Sequence, residues 1–421
     1  MTVFNLATAE VDAATVHRIA TGQMLAREGG LIAPPTRPVI ATPFKWREPA
    51  TIPRRPWIYG AHFIRKELSG TFAPGGTGKS SLALVEGLAM VSGRSLLGEL
   101  PGREKYRVWY VNAEDDYEEL ERRVSAAMMH YKLTPEDIGD RLLIDSADSD
   151  VFTFAKEERD GVNIVSATSE MVIANIEHFE IDVVILDPFV SFHSIDGNSN
   201  RHIQPLVTEF KKIATQTNVA FEIVAHTRKG SGKELTQDDA MGAAALVNKT
   251  RSTRVLNAMT PDEAVKAGLA PRDCESIFRV TNPKHNLTAG GAGAKWRRMI
   301  SVDLHNGGFG NGGSMLDFSD SVGVATEWRW PDAESLAGAI TPEQLQAIKL
   351  ALRCLIGRES DRSPHWAGNY VADAMGIDRA DKTQRPKVRR LLEGLIAAGH
   401  LKVEEGEHPT GRRDCNYIIT A

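Results

Sequence analysis

The sequence predicts an α/β protein, a mostly parallel sheet with helices on both faces, followed by a small C-terminal domain of three helices and two strands. Three observations carry this. Between Trp57 and Trp330, short runs of apolar and β-branched residues alternate with stretches of helical periodicity, the pattern of strands joined by crossover helices. Residues 73–80 read Ala-Pro-Gly-Gly-Thr-Gly-Lys-Ser, a glycine-rich turn between a strand pattern and a helix pattern. Beyond Trp328-Arg329-Trp330-Pro331 the periodicity becomes helical, then closes on two short strands around Pro409-Thr410-Gly411.

Taken in order, residues 1–56 are of mixed character. A weak helical pattern from Ala9 to Arg27 gives way to Gly29-Gly30 and the proline-rich Ala33 to Pro38, which reads as an extended arm or linker. In the α/β region, 57–330, strands are predicted at Leu68–Phe72, Val108–Asn112, Leu142–Ile144, Val183–Leu186 and Val219–Val224. A helix follows from Ser80 to Arg94. Tyr117, Leu120, Val124, Ala127, Met128 and Tyr131 mark the apolar face of another, and a third runs from Ile203 to Thr217, each at 3.6-residue spacing. Ser276 to Leu316 reads as additional strands joined by a glycine-rich loop at 307–313. In the tail, 342–421, helices are expected at Pro342–Ile356, Trp366–Met375 and Pro386–Ala398, the last with Pro in its first turn and Gly399 after its end. Strands at Leu401–Glu404 and Asn416–Ile419 complete three helices and a two-stranded wing, the winged helix-turn-helix pattern.

A chain of 421 residues has room for two or three domains. Hydrophobic content of 42% and charged content of 25% suit an ordinary globular protein. A net charge of −5 gives no global attraction to nucleic acid, so any such surface must be a local patch. Cys274, Cys354 and Cys415 are too far apart for a zinc motif or a disulfide framework and suit a reducing compartment. No apolar run approaches a membrane span and Met1 to Phe4 lacks a basic start, so the expectation is a cytoplasmic protein with no membrane partner.

The segment 73–80 is a phosphate-binding P-loop, A-x-x-x-x-G-K-S, with Ala73 at the position of its first glycine. Gly75, Gly76 and Gly78 let the backbone turn its N–H groups toward phosphate oxygens, and the following helix adds the positive end of its dipole. Pro74, Gly75, Gly76, Thr77, Gly78, Lys79, Ser80 and Ser81 therefore form the expected nucleotide cradle, with Lys79 reaching the β- and γ-phosphates and Ser80 placed to hold Mg²⁺. The buried run Val183 to Leu186 delivers Asp187 to the carboxyl edge of the sheet as the second metal ligand. Glu114 closes the second strand at the same edge and is the candidate base that polarises attacking water, while Asp115 and Asp116 cap the next helix. His226 ends the fifth strand, within reach of the γ-phosphate. The loop that follows carries Arg228, Lys229 and Lys233, either a contact to a nucleic-acid backbone or a solvated surface.

With these pieces the chain resembles the RecA-like ATPases, most closely the hexameric replicative helicases of the plasmid RepA type. The matching segments are APGGTGKSSLAL, YVNAEDD with Glu114, VVILDPF with Asp187, VAHTRKGSG with His226, Gly242 to Asn248, and Thr281 to Asn286, spanning Trp57 to Trp330. The resemblance implies ATP and Mg²⁺, a six-membered homo-oligomeric ring acting on single-stranded DNA, and sites at subunit interfaces completed by a neighbour's basic finger. On that basis Arg251 or Arg254, and Lys284, are the candidates in trans. An exposed strand charge is the alternative for each. The chain departs from that family at Ala73 and in its N-terminal arm and winged-helix tail, which the minimal plasmid helicase core lacks. A switch, adaptor or recombination and repair ATPase that does not unwind DNA therefore stays open beside the helicase.

Between Lys382 and Arg413 the tail holds eight basic residues against four acids. Lys387, Arg389 and Arg390 lie at the start of its third helix, and Arg412 and Arg413 on the wing, the two parts of such a module that meet duplex DNA. Packing against the ATPase domain or a partner protein is the alternative.

Overall fold

The computed structural model describes residues 41–102, 105–149, 152–159, 161–227, 235, 244–267, 269, 271–285, 294–308, 318–331, 333–338, 340–381, 384–406 and 415–421. The chain falls into two units, Met1–Arg55 and Pro56–Ala421. In the first, the described residues 41–55 hold one turn of 3₁₀ helix at Pro49–Thr51; the helical pattern expected at Ala9 to Arg27 lies outside the described residues.

The second unit begins with a small antiparallel pair, β1 (Trp57–Tyr59) and β2 (Phe63–Ile64). It continues with β3 (Leu68–Ala73), α1 (Lys79–Ser92), β4 (Val108–Asn112), α2 (Tyr117–Tyr131), α3 (Pro135–Ile138) and β5 (Leu142–Asp145). Next come β6 (Ala155–Glu158), β7 (Gly161–Ile164), α4 (Ser166–His178), β8 (Val183–Asp187), β9 (His193–Ser194), α5 (Asn200–Thr217) and β10 (Ala220–His226). Then follow α6 (Ala244–Lys249), β11 (Ser252–Ala258), α7 (Pro261–Lys266), β12 (Ile277–His285), β13 (Lys295–Asp303) and β14 (Ser321–Trp328).

The central sheet has nine strands in the order β14-β13-β12-β11-β3-β10-β8-β4-β5. From β11 to β5 every pairing is parallel; β12, β13 and β14 extend the sheet antiparallel. The P-loop strand β3 thus stands inside a mostly parallel sheet, the α/β arrangement expected from the alternating pattern. The inner strands β3, β4, β8 and β10 are buried on both faces, and alternation sorts their side chains between two cores. Val108, Tyr110, Val183 and Ile185 pack with α1 and α2; Trp109, Val111, Val184 and Leu186 pack with α4 and α5. In α5 the buried residues Ile203, Leu206, Val207, Phe210, Ile213 and Ala214 repeat at helical spacing, so one stripe of an otherwise polar helix is removed from water. No helix among the described residues is long and apolar enough to cross a membrane.

The five strands predicted by name in this region appear as β3, β4, β5, β8 and β10, and β12 and β13 fall in the region read as additional strands, whereas β1, β2, β11 and β14 were not predicted. The three-stranded sheet β7-β6-β9 was not foreshadowed: β6 reads Ala-Lys-Glu-Glu with only Ala155 buried, so neither propensity nor alternation marks it.

The C-terminal part comprises α8 (Ala333–Gly338), α9 (Pro342–Cys354), α10 (Gly368–Ala374), α11 (Arg385–Ala397) and the antiparallel pair β15 (Leu401–Gly406) and β16 (Cys415–Thr420). Its own core gathers Ile348, Leu352, Trp366, Val371, Leu391, Leu395, Leu401 and Ile418. Arg358 forms single bridges to Trp366 and to Tyr417, tying the α9–α10 connection to β16. α9 opens on a capping box of Thr341 and Gln344 with Pro342 at its first position, and α11 is followed by Gly399 at φ 74°.

Candidate nucleotide site

The parallel strands deliver the site to one edge. β3 runs out at Ala73, which lies inside the strand, and the chain turns through Pro74 to Gly78 into α1. Ala73 is therefore tolerated where a glycine is usual: its backbone is not among the positive-φ residues. Gly76 and Gly78 do need their freedom, with φ of 79° and 95°. At Gly78 a Cβ would also meet Met299 Sδ at 2.9 Å and Phe278 at 3.2 Å, because the antiparallel extension of the sheet closes over the loop. Thr77 Oγ1 donates to the Pro74 carbonyl at 3.1 Å and closes the turn. Lys79 is buried at the first position of α1.

Two strands away, Asp187 ends β8, is fully buried, and accepts a hydrogen bond from Tyr110 Oη at 2.9 Å through Oδ2. Burial raises its pKa, against the pull of the Ser80 hydroxyl, Lys79 and Tyr110. Its other oxygen, Oδ1, is buried without a hydrogen-bond partner. A buried anionic oxygen with an unused lone pair beside a P-loop serine is the donor chemistry that Mg²⁺ takes, so Ser80 and Asp187 fit the ion expected of them.

Glu114 stands just beyond β4 with its side chain 46% exposed, and its Oε1 lies 3.2 Å from His226 Nε2. His226 is in register with Ala73 across the β3–β10 pairing, so P-loop, candidate base and the strand-end histidine meet at one sheet edge. The turn that presents Glu114 is built by Asn112, which sequence reasoning passed over. Its Oδ1 accepts from the backbone N–H groups of Glu114 at 2.9 Å and Asp115 at 2.8 Å, and its Nδ2 donates to Tyr110 Oη and Asp115. An asparagine closing a strand before a run of acids is the available signal, since Asx side chains bond to backbone N–H groups two and three residues on. Asp116 caps α2 by accepting from Glu119 N at 2.7 Å, as predicted; Asp115 instead pairs with Arg123 at 3.0 Å.

Beside the cradle opens a cavity of about 470 Å³. Gly76, Gly78, Lys79 and Ser80 form its phosphate end; Leu84, Val85, Ala127, Met299 and Val322 give it apolar walls, and Glu119, Arg122 and Asp320 polar ones. Ser81 does not serve the cradle through its side chain: its hydroxyl donates to the Gly323 carbonyl and accepts from Ala325 N, stitching α1 to β14.

The basic candidates separate. Arg254 is not available as a finger. Its side chain is 6% exposed and bound inside its own fold to Glu86 at 2.5 Å and to Thr71 at 2.9 Å. The period-2 alternation of β11 turns it inward, where two buried acids hold it. Arg251 is 46% exposed on its side chain, 3.5 Å from Glu67. It adjoins the amino end of β3, donating its backbone N–H to Leu68 O, and so lies at the edge opposite the P-loop. Lys284 is paired in register with Thr253, near that same edge.

Arg228, Lys229, Lys233, Arg412 and Arg413 lie outside the described residues. Arg390 is engaged within the chain, donating to the Lys266 carbonyl at 2.8 Å and the Pro331 carbonyl at 3.3 Å, with its guanidinium 5.9 Å from the centre of the Trp330 ring. It docks α11 to the α/β part rather than standing open to DNA. Arg389, with its side chain 51% exposed, pairs with Asp361 on the surface of the C-terminal part, and Lys387 is half-buried.

A P-loop, a buried acid with an unused oxygen, and a glutamate beside a histidine define the class of this site, that of a P-loop ATPase. Comparison with known proteins agrees: residues 33–232 match the family described as an AAA domain, a stretch that contains Lys79, Glu114, Asp187 and His226. Among solved structures, the crystal structure of the RadB recombinase aligns at 17% identity over 56% of this chain and 89% of that one, with a TM-score of 0.35, a likeness too loose to carry functional weight.

Proposed function

We propose that this protein is an ATP-hydrolysing DNA motor, a RepA-like replicative helicase that works on single-stranded DNA as a homo-oligomeric ring of six. The observation that carries the reading is the meeting of Lys79, Asp187, Glu114 and His226 at one sheet edge, with Glu114 and His226 at 3.2 Å. The triphosphate lies along 74–80, and the adjoining 470 Å³ cavity takes the nucleoside. Mg²⁺ held by Ser80 and Asp187 would neutralise charge on the β- and γ-phosphates. Glu114 orients the attacking water, and its hydrogen bond to His226 links the state of the γ-phosphate to β10 and the basic segment that follows. Arg251 and Lys284, away from their own P-loop edge, are the candidates for completing a neighbour's site. The tail is a winged helix that contacts duplex DNA through Lys387, Arg389 and its wing.

The test is ATP hydrolysis with and without single-stranded DNA, together with a native mass in Mg·ATP. The expected result is DNA-stimulated turnover by an oligomer; a monomer whose hydrolysis ignores DNA would overturn the motor.

One observation favours a second reading, an ATPase of recombination, repair or regulation that does not unwind DNA. Arg390 ties the expected recognition helix to the α/β part, as a switch module would require. Strand displacement separates the two: hydrolysis without unwinding selects the switch.

A further inference from the structure

Beneath the P-loop lies a cluster of charged side chains that the proposed chemistry leaves unused. Arg254 of β11, Glu86 of α1, Glu222 of β10 and His62 before β2 are all buried. Arg254 grips Glu86 with both terminal nitrogens, Nη1 to Oε1 at 2.5 Å and Nη2 to Oε2 at 2.8 Å. The same guanidinium donates to Thr71 Oγ1 from Nε at 3.1 Å and from Nη2 at 2.9 Å. Glu222 accepts from the hydroxyls of Ser69 and Thr71 and lies 2.9 Å from His62 Nε2 and 3.7 Å from Arg254. His62 Nδ1 is 2.7 Å from Ser252 Oγ, so the cluster joins β3, β10, β11 and α1.

The placement of its anchors matters. Thr71 lies two residues before the P-loop, in the strand that enters it. Glu86 lies seven residues, or about two turns, after Lys79 in the helix that leaves it. The loop between holds glycines at three of its positions, so its shape follows from the strand end and helix start that it joins. We propose that Arg254 is a positioning residue for the phosphate cradle, its planar fork fixing α1 against β3 in parallel with the loop. The inference rests on the reading that the P-loop binds ATP.

Stability alone is a weak reason for such a cluster. Desolvating paired charges cancels much of their attraction, and apolar groups of similar volume often replace a buried ion pair without loss. What an apolar replacement does not supply is the fixed fork geometry that spans Thr71 and Glu86.

Two variants test this. Arg254→Lys keeps the charge that compensates Glu86 but has no fork to reach Thr71 as well. Arg254→Met with Glu86→Met removes both charges and fills similar volume. For each, the thermal midpoint, the Kd of a fluorescent N-methylanthraniloyl ADP with Mg²⁺, and KM and kcat for ATP are measured. The expected result is a midpoint near the parent's with Kd and KM raised about tenfold or more, since small misplacements of a binding group cost that much. A purely structural role would lower the midpoint and leave Kd and KM of the folded fraction unchanged. Values within about twofold of the parent in folded variants would overturn the inference. A parent that binds no nucleotide would instead remove the ATPase reading, and this inference with it.

Discussion

At Asn112 a single carboxamide organises the backbone that presents Glu114, by accepting two N–H bonds and donating to Tyr110 and Asp115. Replacing it with Ala leaves two part-buried amide donors without that partner, a loss of about 0.5–1.5 kcal/mol in stability, and lets the Glu114 carboxylate wander. Asn112→Ala is therefore expected to lower kcat while nucleotide affinity holds, because the phosphates bind on another strand. Glu114→Gln should go further, about 10²–10⁴-fold in kcat with ATP binding retained. Single-turnover hydrolysis beside a binding isotherm checks both, and a Glu114→Gln protein with parental turnover would remove the base assignment. Glu114 was legible in the sequence because an acid ending a buried strand downstream of a P-loop has few structural duties. Asn112 and Tyr110 were not, because their roles exist only once β4 lies beside β8, with Asn112 opposite Asp187.

Among the elements, α1 shows how closely the antiparallel extension is fitted to the P-loop. Ser81 bonds to both Gly323 and Ala325 of β14, and Met299 of β13 fills the space over Gly78. Gly78→Ala would place a Cβ at φ 95°, costing about 1–2 kcal/mol in backbone strain, and would push against Met299. Nucleotide affinity should fall, and Met299→Ala in the same chain should restore only part of it, because the contact is relieved but φ is not. Recovery of full affinity would show that the contact alone mattered. The presence of α1 was legible from GK[S/T] before an apolar helical repeat; its cover was not, since β13 and β14 lie more than 200 residues along the chain. At the other end, α11 was expected as a basic recognition helix. Its Arg390 bonds to Lys266 and Pro331 and stands over Trp330 instead. Arg390→Ala should loosen the C-terminal helices from the α/β part, seen as faster limited proteolysis after Trp330, with the hydrolysis rate of the isolated enzyme unchanged.

For the molecule as a whole, acid sensitivity follows from the buried cluster. Burial alone would raise the pKa of Glu222, but His62, then Arg254 and the Ser69 hydroxyl, outweigh it and hold the carboxyl at about 2, below the ordinary value of 4.5. A carboxylate whose pKa is depressed by folding contributes stability that is complete above its unfolded pKa and is lost as pH falls toward the folded one. The denaturation midpoint should therefore drop between about pH 4.5 and pH 2. Glu222→Gln should flatten that part of the profile, and an unchanged slope would show that other carboxylates govern it.

What the sequence determined by itself was local. The α/β class, five of the six parallel strands of the central sheet, the P-loop and the acids at strand ends follow from periodicity and turn chemistry within about fifteen neighbouring residues, where backbone geometry decides. Tertiary structure decided the rest. A strand propensity cannot say which of its alternating faces meets a buried acid, so Arg254 looked like an exposed finger until β11 was laid beside β3, with Glu86 and Thr71 within its reach. Arg390 likewise looked free until α11 met Trp330. A cation announces its charge in the sequence; only the packed fold sets which anion, carbonyl or ring it finds, because that partner is chosen by distance in space and not along the chain.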